Sequence, residues 1–113
     1  MKLFLSLCLI VSLLVIGSCD KWAGLVAGAN TYSNYRHQAD VFNAYQLLKK
    51  NNFDMDKVIT FAYDDTASSS RNPYKGKIFN KPTYKEPGVD VYEGVKIDYK
   101  GKDVDPTVFL HVM

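Results

Sequence analysis

Residues 34–40 read Asn-Tyr-Arg-His-Gln-Ala-Asp, and this septet places three chemically capable side chains close together. Asn34 offers an amide, Arg36 a guanidinium and His37 an imidazole. A guanidinium presents planar donors that match the oxygens of an amide or a carboxylate. The septet directly follows an apolar run at residues 22–28 and opens a helical pattern. Such a junction, where a buried strand surfaces, is where α/β proteins build their sites.

Each of these side chains also has an ordinary structural explanation. Asn is among the best residues at a helix N-cap, and a helix is predicted directly after Asn34. Arg36 and His37 also fit an exposed positive charge near a helix start, with Arg36 paired to Asp40, because charged residues are mostly exposed. On residue types alone, capping is the commoner role for Asn34 and solvation the commoner state of the Arg-His pair.

A second chemical candidate is the acidic pair Asp64-Asp65, which ends another apolar run. Without a third oxygen ligand beside it, the pair is weak evidence for a metal, and a solvated strand cap is favoured. The sequence has no His/Cys cluster at zinc spacing, no Gly-rich phosphate loop and no Ser in a nucleophile-elbow pattern. We therefore predict no metal, no nucleotide and no other cofactor.

Two apolar runs and one amphipathic segment predict the elements that position the septet. Residues 22–28 and 58–63 are continuous apolar or β-branched runs, as expected for strands covered on both faces. Residues 36–51 have helical periodicity. About thirty residues and one helix between the runs predict a right-handed crossover joining parallel strands. The helix is predicted to bury Val41, Ala44, Tyr45 and Leu48 and to expose Asp40, Asn43, Gln46 and Lys50.

The second half of the chain predicts a loop, a hairpin and a helix start. Residues 66–87 are rich in Ser, Asn, Pro, Lys and Gly, which predicts a surface excursion. Residues 89–92 and 95–99 alternate around Glu93-Gly94, a spacing compatible with a small hairpin. Asp105-Pro106 then predicts a helix beginning, with Asp as the cap and Pro in the first turn.

The first nineteen residues have the layout of a secretory signal peptide: Lys2, an apolar core and small residues before a cut after Cys19. A retained anchor and a lipoprotein signal are the alternatives. The chain's two cysteines, Cys8 and Cys19, both lie in this leader, so the predicted mature chain has no disulfide. Small secreted domains often need disulfides. We therefore expect residues 20–113 to be part of a larger domain, with a last helix that has only begun.

The charge pattern gives no support to nucleic-acid binding. Fourteen Lys and Arg residues nearly balance twelve Asp and Glu residues, and they are interspersed. No stripe of Lys and Arg alternates with aromatic residues, as it does in many nucleic-acid-binding proteins. We expect no nucleic-acid partner, and no membrane association beyond the leader.

Several motifs together resemble those of one peptidase family. The motifs are Ala27-Gly28-Ala29-Asn30, the septet, Tyr63-Asp64-Asp65, Asn72-Pro73 and the run from Asp90 to Val95. Their order and spacing resemble those of legumain, the asparaginyl endopeptidase family of caspase-like cysteine peptidases, from Trp22 to the last residue. The resemblance implies an α/β, caspase-like three-layer αβα fold with a mainly parallel sheet, of which only the first part is present. It also implies peptide or protein substrates cut after Asn, or after Asp at acidic pH.

The resemblance implies a role for three residues of the septet. Asn34 matches the residue that orients the catalytic His. Arg36 and His37 match the pair that helps form the pocket for the substrate's Asn. The attacking Cys and its His base cannot be assigned, because no Cys follows the leader and His111 lies outside the family's later motif. We therefore expect this chain to be a fragment that is inactive alone.

The expected organisation is a signal peptide at residues 1–19 and the N-terminal portion of a peptidase domain at residues 20–113. This layout implies the secretory pathway, then a lysosome, vacuole or the extracellular space. Two alternatives stay open. The GPI transamidase catalytic subunit shares the fold and the Asn-Tyr-Arg-His core, and a non-catalytic remnant would bind peptides through Arg36 and His37. The oligomeric state is left open.

Overall fold

The computed structural model describes residues 20–81 and 88–113. The predicted leader and residues 82–87 of the predicted loop lie outside the described residues. The regular elements are strand β1 (Ala23–Val26), helix α1 (Tyr35–Lys50), strand β2 (Val58–Phe61) and helix α2 (Pro106–Val112), with short 3-10 turns at Tyr32–Asn34, Met55–Lys57 and Gly101–Asp103. In these two ranges no helix is long and apolar enough to cross a bilayer.

The two strands pair in parallel, as predicted, with Ala23 opposite Val58 and Val26 opposite Phe61. Parallel neighbours cannot be joined by a tight turn, and α1 provides the longer connection that they need. The residues of β2 are β-branched or aromatic, which suits a strand with both faces covered. The predicted α/β class and parallel sheet are therefore confirmed.

The free edge of β2 is covered by Asp98 and Tyr99. The Thr60 carbonyl accepts hydrogen bonds from the Asp98 N–H at 2.9 Å and the Tyr99 N–H at 3.1 Å, and the Ala62 N–H donates to the Tyr99 carbonyl at 3.0 Å. The Asp98 carboxylate also accepts a hydrogen bond from the Thr60 N–H at 2.9 Å. This short segment therefore runs beside β2 as a parallel neighbour of Phe61.

The hairpin predicted over residues 89–99 is wrong. A turn does form at Gly94, whose φ is +73°, but its two arms do not pair with each other. Asp90 instead bridges antiparallel to Phe79, while Tyr99 bridges to Phe61. The second arm, residues 95–99, pairs with β2 because the edge of that strand has backbone groups that need hydrogen-bond partners. These groups are far from residues 95–99 in sequence, so the local alternation does not reveal the pairing.

Helix α1 forms where the sequence predicts it, but the face that it buries is rotated from the predicted face. Its buried residues are Gln38, Ala39, Phe42 and Tyr45. Of the residues predicted to be buried, Tyr45 is buried, whereas Val41, Ala44 and Leu48 are only half-buried. Gln46, predicted to face solvent, donates to the carbonyls of Val91 at 3.0 Å and Glu93 at 2.9 Å. The buried face differs because two amides of the helix have protein partners: Gln46, and Gln38, whose Nε2 donates to the Asp65 Oδ1 at 2.7 Å.

The helix ends agree with their predicted signals. Lys49 and Lys50 lie in the last turn of α1, and Asn52 adopts a left-handed conformation with φ +59°. At α2 the Asp105 carboxylate accepts a hydrogen bond from the Thr107 N–H at 2.8 Å, and Pro106 takes the first helical position. The predicted signals at the end of α1 and at the start of α2 are therefore confirmed.

The loop after β2 runs largely over the surface, as predicted, but a few of its residues also contribute to the core. Ala67 and Ile78 are buried in the main apolar cluster. The buried Asn72 side chain organises the loop, because the two hydrogens of its Nδ2 are shared among the carbonyls of Thr66 at 3.2 Å, Ala67 at 3.3 Å and Lys77 at 3.0 Å. One amide replaces the ladder hydrogen bonds that this segment lacks.

We expect Asn72→Ala to lower the free energy of unfolding by about 2 kcal/mol, because buried carbonyls would lose their donor. Urea denaturation measures this change. Asn51→Ala is the matched control, since the Asn51 amide donates to the Leu47 carbonyl at 2.7 Å at an exposed site. The control should change stability by about 0.5 kcal/mol or less. Equal losses in the two variants would contradict the role assigned to Asn72.

Candidate functional site

The candidate site lies at the carboxyl-terminal edge of the parallel strands. β1 leads through residues 27–31 and the turn at Tyr32–Asn34 into the start of α1. The segment after β2 reaches the same edge, as parallel strands require. A cleft of about 220 Å³ opens there, lined by Ala27, Gly28, Ala29, Asn30, Tyr63 and Val104. The septet starts at this edge of the sheet, although none of its residues lines the cleft.

Asn34 takes the N-cap position of α1, but its side chain does not cap the helix. Its Nδ2 instead donates to the Asn30 carbonyl at 2.9 Å, and its backbone N–H donates to the Thr31 carbonyl at 3.0 Å. The alternative prediction that the Asn34 side chain caps the helix is therefore wrong. Among residues 20–81 and 88–113, no donor bonds to the Asn34 Oδ1, so this oxygen can accept a hydrogen bond from another group.

Arg36 and His37 lie in the first turn of α1. Arg36 is exposed and His37 is half-buried. The alternative ion pair between Arg36 and Asp40 is not formed: in the described part of the chain, the ion pairs are Lys57–Asp20, Lys96–Asp98 and Lys100–Asp64. The Arg36 side chain is thus exposed in the first turn of α1, where an incoming oxygen ligand can reach it.

Asp64 and Asp65 do not form the predicted solvated strand cap. Asp65 accepts hydrogen bonds from the Thr31 N–H and the Gln38 Nε2, both at 2.7 Å. The Asp64 side chain is only 16% exposed, and it contacts the Tyr92 hydroxyl at 2.7 Å and the Lys100 Nζ at 3.1 Å. Both carboxylates therefore fasten other segments to the end of β2. Over the described ranges, no three His, Cys, Asp or Glu side chains are grouped as metal ligands.

Residues of the 66–80 loop contact the septet, and residue types did not reveal these contacts. The Tyr35 hydroxyl accepts a hydrogen bond from the Phe79 N–H at 2.6 Å. Burial raises the pKa of Tyr35, although this hydrogen bond acts in the opposite direction. Arg71 donates to the Ser33 Oγ at 3.0 Å, and its guanidinium lies 5.2 Å from the centre of the Tyr32 ring. The loop therefore braces the turn that carries Asn34.

Tyr92 gives a pH-dependent prediction. Burial, followed by its hydrogen bond to Asp64 and the charge of Asp64, raises the pKa of Tyr92 to about 12. A tyrosine with a raised pKa in the folded state stabilises the fold fully below its unfolded pKa of about 10, and this stabilisation is lost as pH rises towards 12. We expect the stability advantage of the natural chain over Tyr92→Phe to shrink across that window. Urea denaturation at several pH values measures it, and a constant difference would contradict the assignment.

Comparison with known proteins supports the motif-based prediction. Residues 21–113 match the model of the Peptidase C13 family. A hemoglobinase of Schistosoma japonicum is 53% identical over 93 residues, which is 82% of this chain and 21% of the relative. The vacuolar-processing enzyme delta-isozyme of Arabidopsis thaliana is 50% identical over 93 residues, covering 82% of this chain and 19% of the relative. Legumain of Mus musculus is 46% identical over 92 residues, covering 81% and 20%.

The chain spans about a fifth of the length of these curated relatives. The match includes every motif on which the predicted resemblance rests, from the residues after β1 to α2. The resemblance to the legumain family is thereby confirmed. Because the family model covers all but the first twenty residues, this chain belongs to the Peptidase C13 family.

Proposed function

We propose that this chain provides the substrate-recognition edge of a legumain-like cysteine endopeptidase that cuts after Asn, and after Asp at acidic pH. The observation that carries the proposal is the exposed Arg36 guanidinium, without an ion pair to any described residue, at the carboxyl edge of the sheet in a Peptidase C13 chain. The proposed substrates are peptides and proteins that contain Asn.

The proposed pocket uses the chemistry of the septet. Arg36 would donate to the side-chain oxygen of the substrate's Asn or Asp, which suits a planar guanidinium. His37, half-buried in the same turn, would border the pocket. Asn34 would use its Oδ1 to accept a hydrogen bond from the ring N–H of a catalytic His and fix the orientation of that ring.

The nucleophile of the proposed reaction lies outside residues 20–113, because these residues contain no cysteine. A thiolate must attack the scissile carbonyl and form the acyl-enzyme. We therefore assign peptide recognition, and not bond cleavage, to this chain by itself. The names of the relatives, hemoglobinase, vacuolar-processing enzyme and legumain, favour an endopeptidase over the GPI transamidase alternative.

The proposed location is the secretory pathway, ending in a lysosome, a vacuole or the extracellular space. The leader-like layout of residues 1–19 and a relative named as a vacuolar-processing enzyme support it. N-terminal sequencing of the protein from its natural source is expected to begin at Asp20. Recovery of the intact leader would contradict cleavage after Cys19.

Peptide binding tests the proposed function. A fluorescent peptide with one central Asn is titrated with the chain, and fluorescence polarisation is compared with that of the same peptide carrying Gln. We expect the Asn peptide to bind at least about tenfold more tightly, because one extra methylene is poorly accommodated by a fitted pocket. Equal affinities would contradict the proposed pocket. Peptide hydrolysis by the chain that thiol alkylation blocks would contradict the assignment of the nucleophile.

A further inference from the structure

Thr31 has a backbone conformation that few non-glycine residues adopt. Its φ is +70° and its ψ is 154°, a region occupied essentially by glycine. A β-branched residue there is a genuine outlier, because its side chain crowds the neighbouring peptide. Such a conformation persists only where the surroundings hold it. Thr31 directly precedes the turn that carries Asn34.

Asp65 provides that hold. Its Oδ2 accepts a hydrogen bond from the Thr31 N–H at 2.7 Å, a short bond strengthened by the charge of the carboxylate. Its Oδ1 accepts one from the Gln38 Nε2 at 2.7 Å, and the Gln38 side chain is completely buried. One carboxylate therefore contacts both ends of the segment that contains Asn34, Arg36 and His37.

The link from Asp65 to Asn34 passes through a single peptide unit. The Asn30 carbonyl and the Thr31 N–H belong to the same planar peptide, whose orientation is set by the ψ of Asn30 together with the φ of Thr31. Asp65 holds the N–H of this plane, and the carbonyl at its other end accepts a hydrogen bond from the Asn34 Nδ2 at 2.9 Å. Rotation of the plane would remove the acceptor that orients the Asn34 amide.

We infer that Asp65 is a positioning residue: by fixing the Asn30–Thr31 peptide plane, it sets the orientation of the Asn34 side chain. The value of that orientation for a peptidase rests on the proposed function, whereas the mechanical link does not. A purely structural alternative is that Asp65 serves only to satisfy the buried Gln38.

A double-variant cycle with Thr31→Gly separates these two roles. Glycine adopts the observed φ without strain, so Asp65 is needed less once Thr31 is replaced. In the natural background, Asp65→Ala is expected to shift the side-chain NMR signals of Asn34 and to weaken Asn-peptide binding about tenfold. In the Thr31→Gly background, the same substitution should leave the Asn34 signals in place and cost less than about threefold in affinity.

Asp65→Asn is the conservative variant. Its remaining oxygen can still accept from the Thr31 N–H, and Gln38 can turn its amide so that Oε1, which has no partner among the described residues, faces the new NH₂ group. We expect the Asn34 signals and peptide affinity to stay within about threefold of the natural values. Gln38→Met, which removes only the other arm of the Asp65 contact, should lower the urea midpoint and leave the Asn34 signals unchanged.

Each result decides the inference. Equal effects of Asp65→Ala in the two backgrounds would overturn it, as would unfolding of both variants, because Asp65 would then act through Gln38. Unfolding of Asp65→Ala in the natural background, but not in the Thr31→Gly background, would support the inference. If the natural chain binds no Asn peptide, the proposed function fails while the Asn34 NMR signals still test the positioning role.

Discussion

Replacing Arg36 with alanine is expected to weaken binding of the Asn peptide about 100-fold, or about 2.8 kcal/mol at 1.4 kcal/mol per tenfold. The expected loss is that of hydrogen bonds from a charged donor, which contribute about 1.5–3 kcal/mol. Arg36 is exposed and bonds to no other side chain in the described ranges, so the fold should be unaffected. Fluorescence polarisation gives the affinity, and urea denaturation should give a stability within about 0.5 kcal/mol of the natural chain.

Two control variants separate specific recognition from general charge. Arg36→Lys keeps the charge but loses the planar fork, and we expect an intermediate loss of about tenfold. Lys50→Ala removes an exposed cation from the opposite end of the same helix and should leave affinity unchanged. If Lys50→Ala weakened binding as much as Arg36→Ala, the peptide would be held by net charge and not by the proposed pocket.

The second large effect is expected from Phe42→Ala, which should lower the free energy of unfolding by about 3–5 kcal/mol. The Phe42 side chain is completely buried in the apolar cluster, and its ring centre lies 5.5 Å from that of Tyr92. Its removal opens a cavity between α1 and the segment around Tyr92. Domains are typically stable by about 5–15 kcal/mol, so this loss is a large part of the total.

Urea denaturation monitored by circular dichroism measures the Phe42 effect through the shift in midpoint. Leu47→Ala is the matched control, because Leu47 lies on the same helix and is 51% exposed. The control should change stability by about 0.5 kcal/mol or less. A loss below about 1 kcal/mol for Phe42→Ala would show that α1 does not pack into the apolar cluster as described.

Local sequence signals were enough to predict the strands and α1. Apolar runs, helical spacing and the caps at Asn52 and Asp105 all act within a few residues, and each agrees with the structure. The buried face of α1 was misjudged because Gln38 and Gln46 bond to partners far along the chain. A buried amide looks like a surface residue until its partner is known.

For the candidate site, local signals predicted the position of the septet in the fold, whereas the roles of its residues are proposals. The position of Asn34, Arg36 and His37 at the carboxyl edge follows from the strand–helix order, which the sequence reveals. The bracing by Asp65 does not, because that carboxylate reaches Thr31 and Gln38 only after β2 has paired with β1. The positive φ of Thr31 could not be predicted, because threonine is not a residue type that indicates this backbone conformation.

The most direct test of the central claim is a segment exchange with a related enzyme. Residues 21–113 replace the matching segment of mouse legumain, with which this chain is 46% identical over 92 residues, and hydrolysis of the Asn peptide is measured. We predict that the folded chimera cuts after Asn and not after Gln, and that Arg36→Ala lowers its kcat/KM about 100-fold, or about 2.8 kcal/mol. A folded chimera with a reactive thiol that does not cut after Asn, or that is indifferent to Arg36→Ala, would contradict the account.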